Sequence, residues 1–552
     1  MNASYRATST PRAAALARGD SLFPFFRLGQ GAECLAVIGG GLILDSGEAE
    51  RTFLYRCQDR FLTYTSLLGL RSVVFVSDEA HALWYDVLVD KLRARLGLIA
   101  AYAGIVDAAI PPPFYVQCDL EAFRVGSFAR FERQLAQLRA SGAGVHFELN
   151  QISPSTCAIL AQLDAALSAC GVYTGFDADA AARAADLALK LHDKSEYVRL
   201  VKSSADADRL PRHVPTAVMP AASFTAIASW AALVDAYRSG STDTRPPAGL
   251  FVKSASDSSG NVSALLTREN FAARIEAFKA EVRLNLLSCE LDDPALVADL
   301  RSEVEAAPTL RHHEFSDDTL RRWRRRQAAA HRGIPLLLQR VVTPPPAAGT
   351  SARSIGISMM IEGPDAIAPI TASAQLYKDR ERRQYLGSHV SDALGAAVLT
   401  PRRLDKLNAL CRVIADRGYR GPINFDACLD ADGDYTFIYD CNPRLTAIYP
   451  PLAVREVLRR AGRAADAVLS PGYRGELIVS DLQRCLDTCR SRNLLYTAQH
   501  PRGAIVLPNL CREDGYDVLV VNCGIREAAA ILAEFANLAG TEAVSAIPEI
   551  FH

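Results

Sequence analysis

Mostly apolar runs alternate with amphipathic stretches through the first third of the chain. The apolar runs predict buried strands and lie at 34–45, 71–78 and 145–149. The amphipathic stretches have helical spacing and lie at 51–70, 79–97, 127–140 and 155–170. Strands that alternate with helices are typical of an open parallel sheet covered by helices. We therefore expect a Rossmann-like α/β domain over 23–185, after a disordered tail at 1–22.

A second pattern lies at 421–450, where two apolar runs flank an acidic turn that contains glycine. This pattern predicts a β-hairpin. The first run carries Asp426, and the second carries Asp440, Asn442 and Arg444. Because residues two apart in a strand share a face, the last three side chains are expected to project together.

The register of this hairpin decides whether its acids meet. With the turn centred near Asp432, Asp426 falls opposite Ile438 and diagonal to Asp440. Carboxylate and amide oxygens are ligands for Mg²⁺, and a neighbouring arginine suits phosphate. The hairpin thus indicates a metal–phosphate site, and ordinary surface acids on a half-exposed hairpin are the alternative.

Two lysines precede the hairpin in the sequence. An apolar strand ends at Lys253 and leads into a run of small residues that includes Ser259 and Gly260. Small side chains let backbone N–H groups approach a phosphate, and the lysine supplies a point charge. A hairpin connection without a ligand is the alternative. Lys194 begins an amphipathic helix further upstream, and a solvated charge is its alternative role.

The order of these features resembles the ATP-grasp ligases. Lys194, the strand that ends at Lys253, an apolar strand at 334–342 and an acid…acid-x-Asn-x-Arg hairpin follow one another as in that family. The chain has Asp440 where many members have Glu. It also has Gln339 where members often have an acid, and a single glycine in the phosphate loop.

The resemblance implies a set of site residues. Arg444 and Lys253 would be catalytic; Lys194, Lys253, Ser259, Gly260, Gln339, Arg340 and Val341 would bind ATP; Asp426, Asp440 and Asn442 would bind metal; Gln375 and Gly387 would shape the substrate pocket. The cofactors implied are ATP and two Mg²⁺ ions, with Mn²⁺ as the alternative ion.

The resemblance also implies a domain plan. The N-terminal domain is similar to a pre-ATP-grasp domain. Residues 186–470 would form the ATP-grasp module of two α+β subdomains, with a helical insertion at about 265–333. A small α/β domain at 471–552 resembles the C-terminal domains of pheganomycin-type peptide ligases.

Composition excludes several classes of partner. The 552 residues are 49% apolar and 22% charged, with a net charge of −1, so nothing favours nucleic acid or an anionic membrane. No apolar run is long enough to span a bilayer. The 13 cysteines show no paired framework, and we expect reduced thiols in the cytoplasm.

The implied activity is that of an ADP-forming ligase. A small-molecule carboxylate, of the amino-acid or peptide type, would be joined to an amine through an acylphosphate, and a homodimer is the one assembly considered. Two alternatives stay open at this point. One is a relative of the biotin-dependent carboxylases, and the other is a non-catalytic nucleotide-binding scaffold.

Overall fold

The computed structural model describes residues 26–37, 62–103, 110–119, 124–204, 207–243, 245–256, 262–287, 297–298, 301–302, 316–318, 320–321, 334–342, 354–377, 385–429, 436–471, 477–478, 482–508 and 515–539. The strands are β1 Phe26–Gly29, β2 Glu33–Val37, β3 Arg71–Val76, β4 Phe114–Asp119, β5 Arg124–Val125, β6 Val145–Leu149, β7 Thr216–Pro220, β8 Gly249–Ser254, β9 Ser263–Thr267, β10 Pro335–Arg340, β11 Ser354–Gly363, β12 Ala366–Tyr377, β13 Tyr385–Ser391, β14 Gly421–Leu429, β15 Thr436–Asn442, β16 Ala467–Pro471, β17 Leu477–Ile478, β18 Gly503–Pro508 and β19 Gly515–Val521. The described α-helices are α1 Glu79–Ala103, α2 Ala129–Ser141, α3 Pro154–Ala169, α4 Ala178–His192, α5 Lys194–Lys202, α6 Ala221–Thr225, α7 Trp230–Gly240, α8 Phe271–Val282, α9 Asp392–Val398, α10 Pro401–Asp416, α11 Tyr449–Arg460, α12 Leu482–Ser491 and α13 Ile525–Ala539.

The first sheet has the order β1-β6-β2-β3-β4-β5. Strands β2, β3, β4 and β6 are parallel, and β1 and β5 add antiparallel edges. Every residue of β6 is buried, including the polar His146 and Glu148, because a parallel sheet is covered on both faces. The predicted parallel α/β sheet is confirmed. The predicted tail at 1–22 lies outside the described residues.

The second sheet is antiparallel and has the order β7-β10-β8-β9. Helix α8 packs Phe271, Ile275 and Phe278 into its core. The helical stretch expected from about 265 therefore starts inside strand β9 and continues as a helix that belongs to this core. Most of the remaining predicted insertion lies outside the described residues.

The third and largest sheet has the order β15-β14-β11-β12-β13-β16-β19-β17, with β18 paired to β19. All its pairings are antiparallel. Val468 in β16 pairs with Val521 in β19, so strands from the C-terminal part of the chain continue the sheet that carries the acidic hairpin. Over the described residues, the chain is thus an α/β protein with three sheets.

Backbone hydrogen bonds join the three sheets around the end of β15. The N–H of Leu445 donates to the carbonyl of Asn150, just after β6, at 3.0 Å. The N–H of Val214, before β7, donates to the carbonyl of Ile438 at 2.9 Å. These contacts bring the hairpin, the parallel sheet and the four-stranded sheet together.

Among the described helices, none combines the length and apolar composition that a bilayer crossing requires.

Candidate functional site

The hairpin of β14 and β15 places its two acids directly opposite each other. Asp426 pairs with Asp440, whereas the next residue, Ala427, pairs with Ile438. Tyr439 is therefore an extra residue in β15, which makes a β-bulge. The register expected from the sequence, with Asp426 opposite Ile438, is wrong: Ile438 pairs with Ala427, one residue further along β14, and the bulge adds a second residue so that Asp426 faces Asp440. The predicted shared face is correct, and the bulge brings the two carboxylates closer than a diagonal pair.

The bulge also frees a backbone carbonyl for the site. An extra residue in a strand leaves its backbone groups outside the ladder. The carbonyl of Tyr439 accepts hydrogen bonds from Lys253 Nζ at 3.2 Å and from Gln339 Nε2 at 2.9 Å. The hairpin is thereby tied to β8 and β10 of the four-stranded sheet.

Two buried lysines converge on Asp440. Lys194 Nζ lies 3.7 Å and Lys253 Nζ 3.5 Å from the same oxygen, Oδ2. Lys194 is held at the first position of α5 because Asp193 caps the helix, accepting from the Ser195 N–H at 2.8 Å. Burial lowers the pKa of Lys253, while the Asp440 carboxylate opposes this shift and the Lys194 ammonium adds to it.

Asp426 is held by amides rather than by cations. Its Oδ1 accepts from Gln375 at 2.6 Å and from Asn424 at 2.8 Å, and its Oδ2 accepts from Asn442 at 3.1 Å. Burial, followed by the Asp440 charge, raises the pKa of Asp426 to about 6. Since Asn442 uses its amide nitrogen here, its carbonyl oxygen is the atom that can bind a cation.

Gln375 reaches Asp426 across an intervening strand. Its Oε1 accepts from Ser354 at 2.6 Å and from Tyr439 at 3.2 Å, which orients the amide nitrogen toward Asp426. The strand between them passes Gly356, where a Cβ would lie 3.3 Å from Gln375 Nε2 and 2.7 Å from Ser373 Oγ. Gln375 therefore contacts a predicted metal ligand, although the family resemblance implies a place in a substrate pocket.

Gly387 is not brought to the acids. It lies in β13, three strands away from β14, which corresponds to roughly 14 Å across a sheet. A Cβ at this position would lie 2.3 Å from the carbonyl oxygen of Ser470 in β16. The close approach of two strands thus accounts for this glycine, and its role in a substrate pocket stays a prediction.

Arg444 lies two residues after the end of β15, with its backbone N–H donating to the Asn442 carbonyl at 2.8 Å. Within the part of the chain that the structure describes, its buried Nη1 has no hydrogen-bond partner. An unpaired buried guanidinium nitrogen costs free energy unless a ligand satisfies it. Arg444 is therefore positioned to accept an anion.

The segment at the end of β10 to which the resemblance assigns ATP binding is already hydrogen-bonded. The N–H groups of Arg340 and Val341 donate to the carbonyls of Pro215 and Gly249, each at 3.0 Å. The Arg340 guanidinium donates to Asp243 at 2.6 Å. Although burial opposes it, this bond and those from Arg245 lower the pKa of Asp243 to about 2. Because these backbone N–H groups already have acceptors, ATP would have to contact this segment through other atoms.

Some site residues escaped the sequence analysis, and others cannot be placed. Ser259 and Gly260 lie outside the described residues. Asn424 could have been found, because it lies two residues before Asp426 and so shares its face. Tyr439 and Gly356 carry no such signal, since a bulge and a close approach depend on neighbouring strands.

No protein-family model matches this chain, and no curated protein matches it. Several solved structures show a likeness. Biotin carboxylase of Campylobacter jejuni has 10% identity and a TM-score of 0.42, over 94% of this chain and 95% of that one. L-amino acid ligase of Bacillus licheniformis has 11% identity and a TM-score of 0.41, over 92% of this chain and 98% of that one. N5-carboxyaminoimidazole ribonucleotide synthetase of Thermus thermophilus has 12% identity and a TM-score of 0.38, over 92% of this chain and 98% of that one. At these values the likenesses carry no argument about chemistry.

Proposed function

We propose that the chain is an ATP-dependent, ADP-forming ligase of the ATP-grasp type. It joins a carboxylate to an amine through an acylphosphate, with an amino acid or peptide among its substrates. The observation that carries the proposal is the convergence of Lys194 and Lys253 on Asp440, beside Asp426. These residues come from different elements and meet where the sheets join.

The charges at this junction favour a polyanion with its metal. Lys194 and Lys253 bring two cationic groups to the paired carboxylates of Asp440 and Asp426, and Arg444 follows Asn442 by two residues. Buried like charges repel one another, and a triphosphate between them would relieve that cost. The unpartnered Nη1 of Arg444 adds a donor with no protein acceptor in the described chain.

The donor atoms also fit Mg²⁺. Asp426 and Asp440 offer carboxylate oxygens, and Asn442 offers its amide oxygen, which are the hard ligands that Mg²⁺ prefers. These three residues would hold two ions. The bound metal would screen the β- and γ-phosphate charges.

The chain's own residues would supply positioning and charge. Phosphoryl transfer requires little covalent help from the protein. With Lys194 and Lys253 on the phosphates, the substrate carboxylate oxygen attacks the γ-phosphorus and ADP leaves. The amine nitrogen then attacks the acyl carbon, phosphate leaves, and the ammonium proton passes to solvent. Arg444 would stabilise the oxyanion of this second step.

The test is a screen of carboxylate and amine pairs with full-length protein and ATP. ADP and phosphate are the expected nucleotide products, together with a new amide detected by mass spectrometry. Hydroxylamine in place of the amine should give a hydroxamate, because it traps an activated acyl group. The Lys253→Met variant should lose turnover, whereas Lys190→Met, which removes an exposed helical lysine, should not.

Three other outcomes would each overturn the proposal. AMP and pyrophosphate would indicate attack at the α-phosphate. ADP release that requires bicarbonate would indicate a carboxylase. ATP binding without turnover of any pair would indicate a nucleotide-binding scaffold.

A further inference from the structure

A second group of chemically distinctive side chains lies in the first sheet, away from the candidate nucleotide site. Cys34 in β2 pairs in register with His146 in the neighbouring parallel strand β6, and Glu148 follows two residues later on the same face. One potential ligand atom from each residue lies within 4.8 Å of the others. His146 and Glu148 are buried, and Cys34 is half-buried.

A backbone carbonyl orients the imidazole of His146. Its Nδ1 lies 2.8 Å from the carbonyl oxygen of Gly31, so this nitrogen carries a proton and donates. Its other nitrogen, Nε2, lies 3.2 Å from Glu148 Oε1. A neutral imidazole would therefore direct a lone pair at a carboxylate oxygen, which requires a proton or a cation between them. A histidine that binds a metal through one ring nitrogen commonly donates its other ring N–H to such a backbone carbonyl.

The glutamate supplies a second, independent observation. Glu148 is 3% exposed, and within the described chain its Oε2 has no hydrogen-bond partner. Arg27 lies opposite Glu148 in β1, but it is exposed. A buried carboxylate oxygen without a partner is costly, and a bound cation would remove that cost.

A nucleophilic role fits the same residues less well. Burial and the Glu148 carboxylate raise the pKa of the Cys34 thiol. A thiol with a raised pKa stays protonated and is a weak nucleophile. The three residues thus do not form an activated Cys–His–Glu triad.

We propose that Cys34, His146 and Glu148 form a binding site for a divalent d-block ion of the Zn²⁺ class. Sulfur, imidazole nitrogen and carboxylate oxygen are the ligands that such ions select, whereas Mg²⁺ prefers oxygen alone. On binding, the metal–sulfur bond forms and the thiol proton passes to solvent. Three protein ligands leave one coordination position for water or another ligand. This inference does not rest on the proposed ligase function.

The test uses metal-stripped full-length protein and Co²⁺ as a spectroscopic probe. We expect one Co²⁺ ion per chain at this site, with an ultraviolet charge-transfer band that reports a cobalt–thiolate bond and that Zn²⁺ abolishes. Cys34→Ser should remove the band. Glu148→Gln should weaken binding by at least the roughly 10–100-fold that the loss of an outer-sphere partner costs. Cys118→Ser, which changes a buried cysteine of β4 in the same sheet, is the matched control and should keep the band.

A second measurement on the unaltered protein decides the question if a variant fails to fold. Alkylation of Cys34, followed by peptide mass spectrometry, should be slower with Zn²⁺ than with Mg²⁺ at equal concentration. The absence of any thiolate band would overturn the proposal. So would a band that persists in Cys34→Ser, or Zn²⁺ protection confined to other thiols such as the Cys485 and Cys489 pair of α12.

Discussion

Asp440 is the residue on which the charge balance of the candidate site depends. One of its oxygens faces two buried ammonium groups, and the other accepts the backbone N–H of Cys441 at 2.9 Å. An asparagine could keep the backbone contact but would bring no charge. The effects of charge and of shape can therefore be separated at this position.

The first prediction is that Asp440→Asn lowers turnover by on the order of 10²–10³, the usual cost of losing one charge-stabilising group. The variant should fold, because the apolar face of the hairpin is unchanged. Steady-state ADP release at saturating Mg²⁺ measures the effect. Asp365→Asn, in the exposed turn after β11, is the control and should match the unaltered protein. A variant at position 440 with near-normal turnover would remove Asp440 from the metal site.

The second prediction concerns pH and Asp426. Burial and Asp440 raise its pKa from 3.8 to about 6, so the folded protein holds this proton more tightly than the unfolded chain. The resulting stabilisation is fully present below about pH 4 and is lost as the pH rises through about 6. A metal ion requires the ionised carboxylate, so stabilisation by Mg²⁺·ATP should grow over the same interval.

Thermal unfolding between about pH 5 and 8, with and without Mg²⁺·ATP, measures this dependence. ATP itself gains a proton in this range, since a terminal phosphate has a pKa of about 6. The Asp426→Asn variant lacks this carboxylate and therefore measures the effect of ATP protonation alone. The shift that Mg²⁺·ATP causes in its thermal midpoint should rise in a smaller step near pH 6 than the shift in the unaltered protein. Equal steps in both proteins would show that Asp426 does not bind the metal.

At the scale of elements, the sequence predicted the hairpin but not its bulge. Apolar periodicity marks both strands and the turn, because each strand buries one face. It cannot mark Tyr439 as the extra residue, since the bulge is set by what the freed carbonyl binds, namely Lys253 and Gln339 from another sheet. The predicted lysines and acids do meet. Gly387 does not lie with them, and the close approach of β16 to this glycine leaves no signal in the sequence; its role in a substrate pocket stays a prediction.

The third prediction addresses the strand between Gln375 and Asp426. Gly356→Ala would place a Cβ 2.7 Å from Ser373 Oγ and 3.3 Å from Gln375 Nε2. Overpacking of this kind costs about 1–3 kcal/mol and should push Gln375 off Asp426. We expect lower turnover and a lower thermal midpoint.

Gly395→Ala is the matched control for this substitution. It lies in α9, a Cβ there would meet nothing within 4 Å, and alanine favours a helix over glycine by up to about 1 kcal/mol. It should therefore keep turnover and raise the midpoint slightly. Full activity in Gly356→Ala would show that Gln375 is not needed to hold Asp426.

At the scale of the whole molecule, the order of elements was predictable and their docking was not. Local periodicity and the spacing of charged residues run along the chain, whereas the contacts that assemble the sheets join residues far apart in the sequence. Tyr64, in the helical segment before β3, donates its hydroxyl to Asp517 Oδ2 in β19 at 2.6 Å. Nearby, Thr63 donates to the carbonyl of Pro508 at 2.8 Å. The N-terminal sheet unit and the C-terminal strands are thereby joined through buried polar contacts.

The last prediction follows from that contact. Tyr64→Phe removes one donor from a buried carboxylate while leaving the ring packed edge-on against Tyr449, with centroids 5.9 Å apart. A hydrogen bond to a charged group contributes about 1.5–3 kcal/mol, so the free energy of unfolding should fall by about this amount. Tyr173→Phe, at a tyrosine that is 65% exposed in the same N-terminal part, should stay within about 0.5 kcal/mol. Denaturant unfolding followed by two probes measures both variants. If the N-terminal sheet depends on this docking, the unfolding transitions reported by the two probes will no longer coincide in Tyr64→Phe but will still coincide in Tyr173→Phe. An unchanged transition in Tyr64→Phe would show that the docking rests on apolar packing alone.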